Sequence, residues 1–245
     1  ELERFGYIGP QEPGAHPIGH YFEPHIEQGP VLEDHDKTIG VVTGVLGIRW
    51  YDCTVTGMEA HAGPTPMALR KDALQVATQV MQEVVACAHR HPPHGRGTVG
   101  MVHVHPNSRN VIPGEVKFSI DLRNATDADC EAMDQDIRAV AARISQETGL
   151  TIKIDLVSSY TAQPFNPDCI DAVRRGAQML GYSHMDAVSG AGHDAVYMAR
   201  LAPAGMIFIP CKDGISHNEI EDAKPEHITA GCNVLLHAML ERAGR

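Results

Sequence analysis

The chain has 245 residues, 43% of them hydrophobic, which is enough for one large domain or two ordinary ones with a packed core. A formal net charge of −11, with its Lys and Arg dispersed, argues against a nucleic-acid backbone or an anionic membrane as the main partner. No run approaches the ~18 apolar residues of a membrane span and the start lacks the build of a signal peptide, so a soluble, cytoplasmic protein is expected. Six scattered cysteines without a C-x-x-C pair indicate neither a zinc knuckle nor a disulfide scaffold.

In chain order, "TIGVVTGV" (residues 38–45) is a short, nearly continuous apolar run, which suits a strand covered on both faces. "IRWYDCTVT" (48–56) alternates and predicts a strand entering a new layer. From Met67 to His89 the apolar positions Leu69, Ala73, Val76, Ala77, Val80, Val84 and Val85 recur at helical spacing, until "HPPHG" stops them. Two strand-like runs, "GTVGMVHVH" and "EVKFSIDLR", are joined by turn residues. A second amphipathic helix is predicted over Asp127–Thr148, closed by Gly149, and "TIKIDLVSSY" is then a strand. The order strand, helix, strand, strand, helix, strand over 48–160 is that of the ferredoxin-like split βαβ.

Beyond it, helices are expected over Asp168–Leu180, about His193–Leu201 and Pro225–Arg242, with "GMIFIPC" as another buried strand. The layout is an α/β domain made of residues 1–46 and 161–245, interrupted by a compact module over 47–160. The N-terminal piece offers one clear strand and no long helix, so its sheet is expected to lack partners, and an opening Glu in a loop-like stretch suggests a processed or fragmentary chain.

Several polar groups could carry chemistry. "HIEQGP" (25–30) places His25, Glu27 and Gln28 where a strand turns into a loop, either as a metal ligand set or as a polar strand end. In "GISHNEIE", His217 follows a buried strand, the usual ligand side of an α/β sheet, and two such histidines in one layer favour a metal site. "GAGHDA" puts His193 and Asp194 at a helix start, either an anion site or an Asp cap beside an exposed His. In the inserted module, His61, Asn110 and Arg123 stand out: Arg offers a planar fork for a carboxylate and Asn can orient one, although an Arg at a strand end is equally read as solvated. His89, His91, His94, His103 and His105 surround a Pro-Pro loop and read as solvated surface.

Taken together, "HIEQGPVLE", "GVVTGVLGIRWYDCTVTGMEAHAGPTPM", "RNVIPGEVKFSIDLR", "SGAGHDA" and "GISHNEIE" resemble the hydantoinase/carbamoylase group of the M20 metallopeptidase clan, nearly end to end. That group includes N-carbamoyl-L-amino-acid hydrolases, β-ureidopropionases and allantoate amidohydrolases. The resemblance implies an aminopeptidase-like catalytic domain with an inserted ferredoxin-like lid through which two subunits pair. It implies that His25 and His217 each bind one ion of a dinuclear zinc, manganese, cobalt or nickel site. Gln28, His61, Asn110 and Arg123 become substrate contacts, joined by His193, for a small ureido carboxylate.

The implied reaction is hydrolysis of the ureido C–N bond of an N-carbamoyl-L-amino acid, with Arg123 and Asn110 on the substrate carboxylate and His61 as oxyanion donor, reaching a partner's site. Allantoate hydrolysis is the alternative substrate, and a non-catalytic, dimerising or carboxylate-binding protein the alternative class. The group's upstream His and bridging Asp, and its Glu-Glu pair, find no counterpart in residues 1–24. Two ligands of five and no general base lead to the expectation of a chain inactive by itself, with partial or no metal. Glu27 is expected to be structural.

Overall fold

The run of Val, Ile and Gly at 39–45 forms a strand with no side facing water, and a sheet builds around it. The structure, a computed structural model, describes residues 1–12 and 14–244, and the chain folds into two units, Glu1–Val45 with Pro164–Arg245, and Leu46–Gln163. In chain order the elements are β1 (Tyr21–Ile26), α1 (Val31–Asp34), β2 (Ile39–Val45), β3 (Gly47–Thr56), β4 (Ala60–His61), α2 (Ala73–Arg90), β5 (Arg96–Thr98), β6 (Val102–His105), β7 (Val111–Ile112) and β8 (Glu115–Asn124). They continue with α3 (Asp127–Thr148), β9 (Thr151–Tyr160), β10 (Gln163–Pro164), α4 (Pro167–Met179), β11 (His184–Ser189), α5 (Asp194–Met198), β12 (Ala204–Ile209) and α6 (Pro225–Arg242). No helix among the described residues is long and apolar enough to cross a membrane.

In the first unit β1 pairs parallel with β12, β12 antiparallel with β2, and β2 parallel with β11, so the sheet is mixed. One face is covered by α4 and α6, where Ala172, Val173, Ala177, Ala230 and Val234 pack on Ile39, Val41 and Ile207. The other face buries Leu32, Val42, Phe165, Ala195, Met206 and Phe208. All six residues of β12 are buried, as a strand covered on both sides requires. Each large side chain there stabilises the fold by about 1.5–3 kcal/mol through area removed from water. Gly40 lets the layers close, because a Cβ there would lie 2.9 Å from the Phe208 Cβ.

The N-terminal piece holds two strands rather than the single one expected, because β1 also joins the sheet. It tolerates Pro24 because β1 ends the strand order, where a missing N–H breaks no ladder.

The second unit has the strand order β5-β8-β3-β9, with β6 also on β8. With α2 and α3 this is the order of the split βαβ, four strand segments in sequence arranged two, three, one, four. Its sheet is covered on one face only: Val116, Phe118, Ile120 and Leu122 alternate inward against both helices, while Lys117 and its neighbours face out. Thr126 caps α3 by accepting the Asp129 N–H at 3.0 Å, and Gly149 ends it at φ 70°.

The helix expected from Met67 starts later. Met67–Leu69 is a separate exposed 3-10 turn, and α2 begins after Asp72, whose carboxylate accepts the Leu74 and Gln75 N–H groups. The helix expected over His193–Leu201 is likewise shorter, Asp194–Met198.

Candidate active site

Because β1 and β12 are parallel, the turns that follow them leave the same end of the sheet; Gln28 and His217 lie on those turns, and His25 is the penultimate residue of β1. His25 lies on β1 opposite Phe208. Its Nδ1 sits 2.8 Å from the Ile26 carbonyl, which can only accept, so Nδ1 donates and in the neutral tautomer Nε2 is the nitrogen with the free lone pair. An imidazole held by a carbonyl on one nitrogen is oriented to ligate with the other.

Gln28 and His217 both have left-handed backbones, at φ 58° and 56°, a strained region for side-chain-bearing residues that marks sites needing an exact turn. Their side chains meet, Gln28 Nε2 to His217 Nε2, at 3.4 Å. The loops beneath are pressed together: a Cβ on Gly214, itself at φ 65°, would come 2.7 Å from the Gly29 carbonyl carbon. Glu27 does not face this pair. Its carboxylate accepts the Val31 and Leu32 N–H groups at 3.0 and 2.8 Å, a structural role, and burial pushes its pKa up against those two bonds.

His193 is buried rather than exposed, and neither it nor Asp194 makes an Asp-type cap of α5. Its Nε2 lies 2.7 Å from the Ser189 hydroxyl, its Nδ1 3.7 Å from a Glu23 carboxylate oxygen, and its ring meets that of His25 edge-on at 4.7 Å. Burial, then the neighbouring His25, lowers its pKa to about 4, so the ring is neutral near pH 7. Glu23 is held in turn by the Ala195 N–H at 2.7 Å and the Tyr21 hydroxyl at 3.2 Å, and burial beside it raises the Tyr21 pKa to about 12. Glu23, His25 and His193 bring ligand atoms within 4.8 Å of one another.

In the second unit, His61 on β4 and Asn110, just before β7, share a two-stranded ribbon, and the Ala62 N–H bonds the Asn110 carbonyl at 2.9 Å. His61 Nδ1 accepts the Gly63 N–H at 3.1 Å, which leaves the proton of the neutral ring on Nε2. The Asn110 carboxamide oxygen accepts from Ser108 at 3.0 Å. Arg123 lies on β8 and forks onto Asp121, with Nε to Oδ1 at 2.9 Å and a terminal nitrogen to Oδ2 at 2.6 Å. The structure therefore pairs Gln28 with His217 and His25 with His193 within the first unit, and His61 with Asn110 within the second, where Arg123 pairs with Asp121.

A family model described as "Peptidase family M20/M25/M40" matches residues 6–241. The chain belongs to this family. Within the M20/M25/M40 family, an N-carbamoyl-L-amino-acid amidohydrolase of Rhizobium meliloti is 45% identical over 243 residues, 99% of this chain and 58% of the relative. An allantoate amidohydrolase of Bacillus subtilis (strain 168) is 34% identical over 226 residues, 92% of this chain and 55% of the relative. The crystal structure of an amidase of the hydantoinase/carbamoylase family from Burkholderia multivorans superposes with a TM-score of 0.96 at 54% identity, over 100% of this chain and 59% of that one. The chain thus spans rather more than half the length of the relatives it matches.

In this M20/M25/M40 member three supporting residues escape the sequence reading. Glu23 stands two positions before His25 on a strand, so same-face alternation could have flagged it. Asp121 stands in the same relation to Arg123. Ser189 carries no local signal, since its partner His193 reaches it only when the loop before α5 folds back.

Proposed function

We propose that this chain serves metal-dependent hydrolysis of the ureido C–N bond of N-carbamoyl-L-amino acids. The observation that carries the reading is the meeting of Gln28 and His217, both on strained backbone, at the sheet edge where His25 is held by a carbonyl. Neutral imidazoles with one nitrogen bound or oriented suit zinc, manganese, cobalt or nickel, so the donor set fits such ions. His25 and His217 would hold them. Divalent ions bound there supply Lewis acidity that polarises a carbonyl and makes water more acidic.

The chain's own residues bind and orient the substrate. Water adds to the ureido carbonyl, the bond to the amino-acid nitrogen breaks, and the carbamate product decays to carbon dioxide and ammonia. Arg123, preset by Asp121, pairs with the substrate carboxylate, and Asn110 donates to it. His61, with its proton on Nε2, donates to the oxygen that gains charge. Gln28 orients the ureido group beside His217, and neutral His193 with Ser189 contributes a polar wall without adding charge.

Pairing of two copies through the second unit belongs to the same reading. β9 is an edge strand carrying exposed Leu156, Val157 and Tyr160, apolar groups that a second copy would cover. Sedimentation at micromolar concentration is expected to show a dimer, and a monomer would remove this part.

The main test is amino-acid release from N-carbamoyl-L-amino acids by the natural protein supplied with divalent metal. His25→Ala and His217→Ala are each expected to lower kcat/KM by at least about 100-fold. Unchanged turnover in both variants would overturn the proposal. The higher identity to the carbamoyl-amino-acid relative, 45% against 34%, favours this substrate over allantoate.

A further inference from the structure

The second unit contains another group of metal-type donors, which takes no part in the proposed hydrolysis. Cys87 stands in the last turn of α2 and His91 is the residue that caps its end, so the two side chains come together there, and Asp136 reaches them from α3. One ligand atom from each lies within 4.8 Å of the other two. His91 Nε2 is 3.5 Å from Asp136 Oδ2. Zinc–sulfur and zinc–nitrogen bonds of ~2.0–2.3 Å in a tetrahedron separate neighbouring ligand atoms by roughly 3.3–3.6 Å, so this edge already has the required length.

The histidine belongs to the tract read from sequence as solvated surface, yet its side chain is only 23% exposed and Cys87 is fully buried. The backbone around His91 is held tightly. Its carbonyl accepts the Gly95 N–H at 2.9 Å and the Asn124 carboxamide at 3.4 Å, and a Cβ on Gly95 would lie 2.5 Å from that oxygen. The group is therefore set by packing before any ion arrives.

Arg90 bonds the same Asp136 oxygen through Nε at 2.9 Å, but its NH1 also bonds Glu83 at 3.0 Å, so the guanidinium keeps a carboxylate partner if Asp136 turns to an ion. One thiolate, one imidazole and one carboxylate make a donor set of borderline softness, which selects zinc over magnesium or calcium.

We propose that Cys87, His91 and Asp136 form a second divalent-metal site, specific for zinc-like ions, that clamps the end of α2 to α3. Burial, with Asp136 next to it, pushes the empty-site Cys87 thiol up to about 12. Binding therefore exchanges the S–H bond for a sulfur–metal bond and releases one proton to solvent, with no change of oxidation state. The site shares no residue with the one built on His25 and His217, and it stands or falls independently of the proposed hydrolysis.

Cobalt(II) is the probe, titrated into the reduced full chain in a Cys232→Ser background that removes the exposed thiol. A thiolate-to-cobalt charge-transfer band that saturates at one ion per chain and is bleached by zinc is expected. Ions at His25 and His217 give no such band, so His25→Ala should leave it unchanged. Cys87→Ser should abolish it, and His91→Ala should weaken cobalt binding about tenfold or more. A folded protein without the band, or a band that survives Cys87→Ser, would overturn the site. Should Cys87→Ser fail to fold, X-ray absorption on the zinc-loaded parent decides: one sulfur neighbour at ~2.3 Å supports the site, and oxygen and nitrogen neighbours alone refute it.

Discussion

The two units treat their sheets differently, and the difference governs where polar chemistry can sit. In the first unit both faces are covered, β12 has no exposed residue, and polar groups are driven to strand ends, to turns and to the edge strand β1. In the second unit one face is open, so β8 alternates and can carry Asp121 and Arg123 directly on the sheet. A two-sided sheet concentrates its functional groups at its rim, whereas a one-sided sheet can present them along its length.

The comparison breaks if core truncations do not dominate. Phe208→Ala, between the layers of the first unit, is expected to cost about 3–5 kcal/mol, and Leu122→Ala on the covered face of β8 about 2–5 kcal/mol, both measured by denaturant unfolding. Equal tolerance at these positions and at outward ones would refute the layer assignment. At the rim, Gly214→Ala forces a Cβ against Gly29 at positive φ and is expected to cost about 1–3 kcal/mol. It should also weaken divalent-metal binding at His217, read by calorimetry, and unaltered binding would mean that the pressed loops do not set the site. Thr126→Ala removes the α3 cap and should cost about 1 kcal/mol. Lys117→Ala, on the open face of β8, should stay within about 0.5 kcal/mol of the parent.

Elements with strong punctuation were legible. α3, β9 and α6 have the bounds that the sequence predicts, because Thr126 and Gly149 frame the first and a proline opens the last. β1 was obscured by Pro24 and by the polar Glu23 and His25 among its six positions, which an edge location makes acceptable. The start of α2 was misread because Met67 and Leu69 continue the helical spacing by chance, while Arg70 ties the preceding turn to the Thr65 and Ala62 carbonyls. The strand expected over "GTVGMVHVH" divides into β5 and β6, where the Ser119 hydroxyl takes the Met101 N–H.

Within the candidate site, His25, Gln28 and His217 stood out because strand ends and turns leave local patterns. The burial of His193 and its contacts with Glu23 and His25 depend on residues far apart in the chain, a tertiary fact without local periodicity, and its bond to Ser189, four residues away, follows from the fold of the intervening loop. The same holds for His91, which looks like surface until Asp136 arrives from another helix.

The division of the first unit into two chain segments bears on the order in which the protein assembles during synthesis. Leu46–Gln163 is continuous, and its strands and helices can all meet once Gln163 has emerged. Tyr21 must wait for Ala204, its register partner, so β1 leaves the ribosome long before the strand that completes it. Closing so long a loop is entropically unfavourable and slow, and a folded inserted unit would shorten the effective loop by holding Leu46 and Gln163 within one compact body. An insertion that folds first would serve as a splint for the unit it interrupts.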